Sequence, residues 1–125
     1  MAKKILVIDD NNDLLELLNE ALTAEGYEVE CASHVDNIYE CVRNAKPGMV
    51  IVDYILEGIN GGELCHQIKI NPRTSHVPVV MITGYPRVLE SLGSYGADHL
   101  LTKPFDLNEL LNVVNAHFLS STAVA

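Results

Sequence analysis

The chain has 125 residues, 48% of them hydrophobic, and a formal net charge of −9. This length suits one domain with a sizeable core, and the acidic surface argues against nucleic-acid binding while suiting divalent cations or a basic patch on a partner. No apolar stretch approaches the ~18 residues of a membrane span, and charges interrupt the first apolar run, so we expect a cytoplasmic protein without a signal peptide or membrane association.

The three cysteines are odd in number and lack the CxxC spacing that is typical of metal or redox sites. They are Cys31, Cys41 and Cys65. Neither a disulfide framework nor a zinc site is expected from this pattern, and buried reduced thiols are the better interpretation.

Five short apolar runs alternate with helical patterns along the chain. The predicted strands are Lys4–Ile8, Glu28–Ala32, Met49–Val52, Val79–Ile82 and His99–Leu101. Continuous apolar runs separated by helices are typical of parallel strands that are buried on both faces. Because crossover connections are right-handed, the pattern predicts an α/β fold: a doubly wound five-stranded parallel sheet with helices on both faces.

The helices between these strands have recognisable start and stop signals. They are predicted from an N-cap at Asn11 or Asn12 to Gly26, over Val35–Asn44, from Gly61, from Pro86, and over Leu107–Phe118. We expect one domain over residues 1–119, followed by a frayed tail over residues 120–125.

Four of the predicted strands run into reactive side chains. These are Asp9 and Asp10 after the first strand, Asp53 after the third, Thr83 after the fourth, and Lys103 after the fifth. In an open parallel sheet, function gathers outside the carboxyl ends of the strands, so these side chains should meet along one edge. Three carboxylates, a hydroxyl and an ammonium suit a bound cation, an anion that accepts a group, and stabilisers for the transferred group.

The segments VIDDN, IVDYILEGINGG, MITG and GADHLLTKPF occur in this order, each at the end of a predicted strand. Together they resemble the receiver domain of two-component response regulators, over about residues 3–118. The resemblance implies a flavodoxin-like sheet with the strand order 2-1-3-4-5.

The resemblance also implies roles for the strand-end residues. Asp53 matches the phosphoacceptor, which takes a phosphoryl group from a histidine kinase or a histidine phosphotransfer protein. Thr83 matches the hydroxyl that binds the phosphoryl group after transfer, and Lys103 matches the lysine that pairs with its oxygens. Pro104 usually follows a cis peptide bond in this family.

A magnesium ion is the implied cofactor. The resemblance implies that Asp9, Asp10 and Asp53 hold it, with the backbone carbonyl of Ile55 as a further ligand. Magnesium prefers hard oxygen ligands and keeps several waters, so two carboxylates and a carbonyl are a sensible set. Asp10 and Asp53 are expected to bind directly, and Asp9 directly or through water.

The expected function is a phosphorylation-controlled interaction module that signals by protein–protein contact. It is expected not to be an enzyme, beyond assisting its own phosphorylation and dephosphorylation. Its output face would combine the fourth predicted helix, the fifth predicted strand and the fifth predicted helix. Ile55 and Tyr85 are bulky where water would approach a phosphorylated Asp53, so self-dephosphorylation should be slow.

Two of the departures from the family pattern are single residues, one next to the predicted site and one in the predicted fifth strand. Glu57 stands where the family often has proline, and Leu100 stands where it usually has an aromatic residue that moves with the threonine. We therefore expect the signal to pass mainly through the loop 84–87 and the start of the fourth predicted helix.

Other functions stay open at this point. A haloacid-dehalogenase-type phosphatase would need a DxD motif after the first strand, where this chain has Asp9-Asp10 followed by Asn11-Asn12. The chain could also be a constitutive binding scaffold, or a receiver cut from a longer hybrid kinase or regulator. Turnover of a generic phosphomonoester would identify the phosphatase.

Overall fold

The computed structural model describes residues 3–56, 59–84, 87 and 95–124, with the backbone alone at residues 55, 59 and 120–124. Its centre is an all-parallel sheet of five strands with the order β2-β1-β3-β4-β5. The strands are β1 (Lys4–Ile8), β2 (Glu28–Ala32), β3 (Met49–Asp53), β4 (Val79–Thr83) and β5 (His99–Thr102). The predicted fold class and strand order are confirmed.

Helices cover both faces of this sheet, so the central strands are buried on both sides. This explains why the sequences of these strands are continuously apolar. The helices are α1 (Asn12–Ala24), α2 (Ile38–Ala45), α3 (Gly61–Ile70) and α4 (Leu107–Val124). Every residue of β3 and β4 is buried, whereas the edge strands β2 and β5 are only partly covered. Side chains alternate between the faces of a strand, so Leu6 and Ile8 pack with α2 and α3, and Ile5 and Val7 pack with α1 and α4.

Asparagine side chains cap the first three helices. Asn11 accepts hydrogen bonds from the backbone of Asp13 and Leu14, and Asn37 and Asn60 cap α2 and α3 in the same way. Such caps satisfy backbone donors that have no partner inside the helix. The predicted start of α2 at Val35 was wrong, because the cap at Asn37 begins the helix at Ile38.

The end of the last helix differs most from the prediction. The helix α4 continues to Val124, beyond the predicted end at Phe118, so the backbone of residues 120–124 is helical where a frayed tail was expected. The division into a domain over 1–119 and a tail stays a prediction. The fourth predicted helix, from Pro86, lies almost entirely outside the described residues.

Two further features were not predicted or differ from expectation. Ile55–Leu56 and Ile59–Asn60 pair as a short antiparallel hairpin between β3 and α3. The three cysteines are not joined in a disulfide, but only Cys65 is buried, so the expectation of three buried thiols was wrong. In the described part of the chain, no helix is both long enough and apolar enough to cross a membrane.

Candidate functional site

The carboxyl ends of the parallel strands bring the predicted residues to one edge of the sheet. Asp53 and Thr83 are the last residues of β3 and β4, and Asp9 follows β1. The exposed fractions of Asp53, Thr83 and Asp9 are 7%, 1% and 1%. Acids are rarely buried this deeply, so Asp53 and Asp9 mark a largely enclosed site. Asp10 lies beside Asp9 with its side chain exposed.

Lys103 enters this site from the turn after β5. Its Nζ donates to Oδ2 of Asp53 at 2.5 Å, and 37% of the lysine side chain stays exposed. The backbone N–H of Lys103 donates to the carbonyl of Thr83 at 2.7 Å, which ties the turn to the end of β4. The Lys103–Pro104 peptide bond is cis, as the resemblance implied.

Asp9 is the most enclosed carboxylate of the site. Its Oδ1 accepts a hydrogen bond from the backbone N–H of Asn11 at 2.8 Å. When Asp9 is ionised, its buried Oδ2 has no hydrogen-bond partner among the described residues. Burial is the main cause that raises the pKa of Asp9 to about 6, against the lowering effect of the Asn11 N–H. The negative charge of Asp53 raises this pKa further. A hydrogen bond that neutral Asp9 can donate to Asp53 also raises it.

The role of Gly61 at the start of α3 was not predicted from the sequence. The backbone N–H of Gly61 donates to the carbonyl of Tyr54 at 2.7 Å. A Cβ at position 61 would lie 1.8 Å from the carbonyl oxygen of Asp53, so only glycine allows α3 to begin this close to the acceptor. The Gly61-Gly62 pair was visible in the sequence, but it indicated only a helix start.

The chemistry of the site suits a hard cation. The unpartnered Oδ2 of Asp9 and the neighbouring carboxylate of Asp53 are oxygen donors of the kind that magnesium prefers. The residues that the structure describes contain no group of three or more His, Cys, Asp or Glu side chains arranged to hold a metal ion. The fit therefore rests on Asp9 and Asp53, with the exposed Asp10 beside them.

Three of the predicted residues lie wholly or partly outside the described residues. The backbone of Ile55 lies in the hairpin opposite Asn60, but its side chain is outside the described part of the chain. Tyr85 and Glu57 also lie outside the described residues. Leu100 lies on the edge strand β5 with 36% of its surface exposed.

A cleft of about 510 Å³ borders the exposed side of Lys103. Its walls come from α1 and from the turn after β5, and include Leu14, Leu17, Lys103, Pro104 and Phe105. Leu17 is 49% exposed, so this side of the site presents apolar surface to solvent.

Comparison with known proteins supports one family. The family model described as the response regulator receiver domain matches residues 5–115. A CheY-like response regulator receiver domain protein from Methanospirillum hungatei JF-1 is 27% identical over 100% of both chains, with a TM-score of 0.82. The response regulator protein TrrA from Thermotoga maritima, solved with Mg(2+)-BeF, is 32% identical over 91% of this chain and 97% of its own, with a TM-score of 0.76.

A third structure shows the same domain within a longer chain. NtrX from Brucella abortus is 31% identical, with a TM-score of 0.83, and the match covers 98% of this chain but 28% of NtrX. The matched family consists of phosphoacceptor signalling domains, generally not enzymes, which bind magnesium during phosphorylation and interact with histidine kinases and downstream effectors. Nothing in these comparisons supports a haloacid-dehalogenase-type phosphatase.

The sheet order, the strand-end residues and the match over residues 5–115 agree, and this chain therefore belongs to the response regulator receiver domain family of two-component signalling.

Proposed function

We propose that this receiver accepts one phosphoryl group on Asp53, and that phosphorylation controls its binding to a downstream protein. The donor would be a histidine kinase or a histidine phosphotransfer protein. The observation that carries the proposal is the contact of 2.5 Å between Lys103 Nζ and Asp53 Oδ2, which joins residues that are 50 apart in the chain. An ammonium held against a buried carboxylate is suited to receive an anionic group.

The transfer itself would be a displacement at phosphorus. A carboxylate oxygen of Asp53 forms a bond to phosphorus, the bond from phosphorus to the donor's imidazole nitrogen breaks, and its electron pair stays on that nitrogen. Lys103 would stabilise the transferred oxygens. The hydroxyl of Thr83, at the buried end of β4, would donate a charge-assisted hydrogen bond to one of them.

Asp9, Asp10, Asp53 and the carbonyl of Ile55 would hold a magnesium ion. When bound, the ion supplies positive charge that offsets the repulsion between the acceptor carboxylate and an anionic donor. The carboxylate of Asp9 fits this role because its buried Oδ2 has no hydrogen-bond partner among the described residues.

A protein donor must bring its phosphohistidine to Asp53, so it must cover the surface next to Lys103. The cleft formed by Leu14, Leu17 and Phe105 borders that lysine and is the surface we assign to donor docking. The downstream protein would bind the face that includes β5, where Leu100 is partly exposed, together with α4 and the segment before β5.

Acetyl phosphate with magnesium tests the acceptor directly. We expect intact-protein mass spectrometry to show one added phosphoryl group, none on Asp53→Asn, and slower labelling of Lys103→Ala. Asp36→Asn is the matched control, because Asp36 is an exposed acid that pairs with His34 rather than with Lys103. Undiminished labelling of Asp53→Asn, or steady turnover of p-nitrophenyl phosphate, would contradict the proposal.

A further inference from the structure

A second cleft lies at the opposite edge of the sheet, where β3 and β4 begin. Its volume is about 570 Å³, and its walls are α2 with the turn after it, and the connection from α3 to β4. The backbone of Val50 donates to the carbonyl of Pro78, which joins the starts of β3 and β4. The end of the cleft that is lined by Lys46, Pro47 and Val77 is therefore separated from Asp53 by the length of β3.

Basic side chains are concentrated around this cleft. The whole chain has eight Lys and Arg residues against 17 acids, and three of the eight line this one cleft: Arg43, Lys46 and Arg73. His76 also lines it, and Glu40 is the single acid of the lining. The lining thus has a formal charge of +2, with histidine neutral, on a protein whose net charge is −9.

These three cations have no ion-pair partner in the described part of the chain. Within the described residues, Lys4, Lys69 and Lys103 each form an ion pair with a carboxylate, whereas Arg43, Lys46 and Arg73 form none, as is also true of Lys3 and Arg87. Neighbouring unpaired cations repel one another, and an anion between them would replace that repulsion by charge-assisted hydrogen bonds.

The backbone around the cleft is held in place by local hydrogen bonds. Lys46 caps α2 in a left-handed conformation, with its N–H donating to Val42. On the other wall, the side chain of Asn71 accepts from the backbone of Arg73 at 2.9 Å, and the buried hydroxyl of Thr74 donates to Ile68 at 2.7 Å. A site whose backbone is already ordered loses less entropy when a ligand binds.

We propose that this cleft binds a phosphorylated small molecule of nucleotide size. Its volume lies within the range of about 300–1,000 Å³ that is usual for small-molecule sites. Arginine guanidinium groups such as those of Arg43 and Arg73 can pair with phosphate through two parallel hydrogen bonds. Tyr39, a half-buried aromatic residue of the lining, offers a ring against which a base can stack.

Isothermal titration calorimetry can test this proposal with ATP, inorganic tripolyphosphate and adenosine. A chelator keeps magnesium from drawing the anions to the Asp53 edge. We expect ATP and tripolyphosphate to bind in the millimolar range or tighter at physiological ionic strength, and adenosine to bind at least about tenfold more weakly than ATP. Amide shifts in NMR should fall on residues 39–46 and 71–77.

Two double variants locate the binding site. Arg43→Gln with Arg73→Gln removes two charges from the cleft, and Lys3→Gln with Lys4→Gln removes two charges elsewhere, so both proteins have the same net charge. The cleft variant should lose at least about tenfold in affinity for ATP, while the control variant keeps most of it and both still label at Asp53. Arg73→Gln alone, at an exposed position, provides the same comparison if the double variant folds poorly.

Three results would overturn the proposal. They are no binding of ATP or tripolyphosphate at millimolar concentrations, equal loss of affinity in the cleft and control variants, and binding of polyglutamate without binding of ATP. The last result would identify the cleft as a docking site for an acidic protein segment. Because the Asp53 assay is separate, failure here leaves the proposed function intact.

Discussion

The ring of Tyr54 packs against the ring of Tyr95, with their centroids 6.1 Å apart. Tyr54 directly follows Asp53, and its backbone N–H donates to the carbonyl of Ile82 in β4. Tyr95 holds a left-handed backbone conformation with φ 57°, and its carbonyl accepts a hydrogen bond from the Sγ of Cys65 in α3. The aromatic pair therefore links the residue after the proposed acceptor to the segment that precedes β5.

We predict that this pair responds to phosphorylation of Asp53. Leu100 occupies the position where related receivers usually have an aromatic residue, so we expect another contact to report the change. Among the described residues, the Tyr54–Tyr95 pair is the aromatic contact nearest in sequence to Asp53. With fluorotyrosine in the protein, beryllofluoride and magnesium should shift the ¹⁹F signals of Tyr54 and Tyr95. Tyr39, which lies on α2 and lines the second cleft, is the internal control. A response limited to β5, with both signals unmoved, would show that Leu100 still carries the switch.

The ion pair of Lys103 should contribute to stability as well as to phosphorylation. Lys103→Met leaves the buried carboxylate of Asp53 without its ammonium partner, and we expect the free energy of unfolding at pH 7 to fall by about 1–3 kcal/mol. We keep this range low because the Lys103 side chain is 37% exposed, and solvent therefore screens part of its interaction with Asp53. Lys4→Met is the control, since its partner Glu30 is 48% exposed and the loss should be below about 1 kcal/mol. Urea unfolding in chelator measures both, and equal losses would argue against a special role for Lys103.

Asp9 should make the metal-free protein less stable as the pH rises. Its pKa is raised from 3.8 to about 6, chiefly by burial, so the folded protein binds this proton more tightly than the unfolded chain does. The free energy of unfolding should therefore fall as the pH rises from about 4 through about 6. Above that range the whole loss is present, and it amounts to at most about 3 kcal/mol.

Asp9→Asn removes this titration while keeping an oxygen that can accept from the N–H of Asn11. Relative to the wild type in chelator, the variant should gain stability as the pH is raised from about 5 to about 8. Glu16→Gln, an exposed substitution on α1, should show no such pH-dependent gain. Urea unfolding across this range is the measurement, and a constant difference between wild type and Asp9→Asn would refute the prediction.

Gly61 should tolerate no side chain. A Cβ there would lie 1.8 Å from the carbonyl of Asp53, so Gly61→Ala must displace either α3 or the acceptor backbone. We expect a loss of about 1–3 kcal/mol or more and slower labelling by acetyl phosphate. Gly84→Ala is the matched control for stability, because a Cβ at position 84 meets no atom of the described residues within 4 Å. If thermal unfolding shows equal effects at both positions, the close approach at Gly61 is not a constraint.

The part of the fold that followed from the sequence is the part governed by local pattern. The apolar run Met49–Val52 was enough to predict β3 and to place Asp53 at its end. The start of α2 was missed because Val35 fits the apolar period of the helix, although Asn37 supplies the cap. The Tyr54–Tyr95 contact and the placing of Arg43 and Arg73 around one cleft depend on how distant segments pack, and no spacing in the sequence indicates them.

The strand β3 also determines how far the two edges of the sheet can influence each other. The four steps from Met49 to Asp53, at about 3.3 Å each, place Asp53 about 13 Å from the residue where the strand begins. That exceeds the screening length of roughly 8 Å at physiological ionic strength, so charge added at one edge is weakly felt through solvent at the other. The two edges should therefore bind their anions independently, and any cooperativity between them would have to be mechanical, carried by movement of the strand itself.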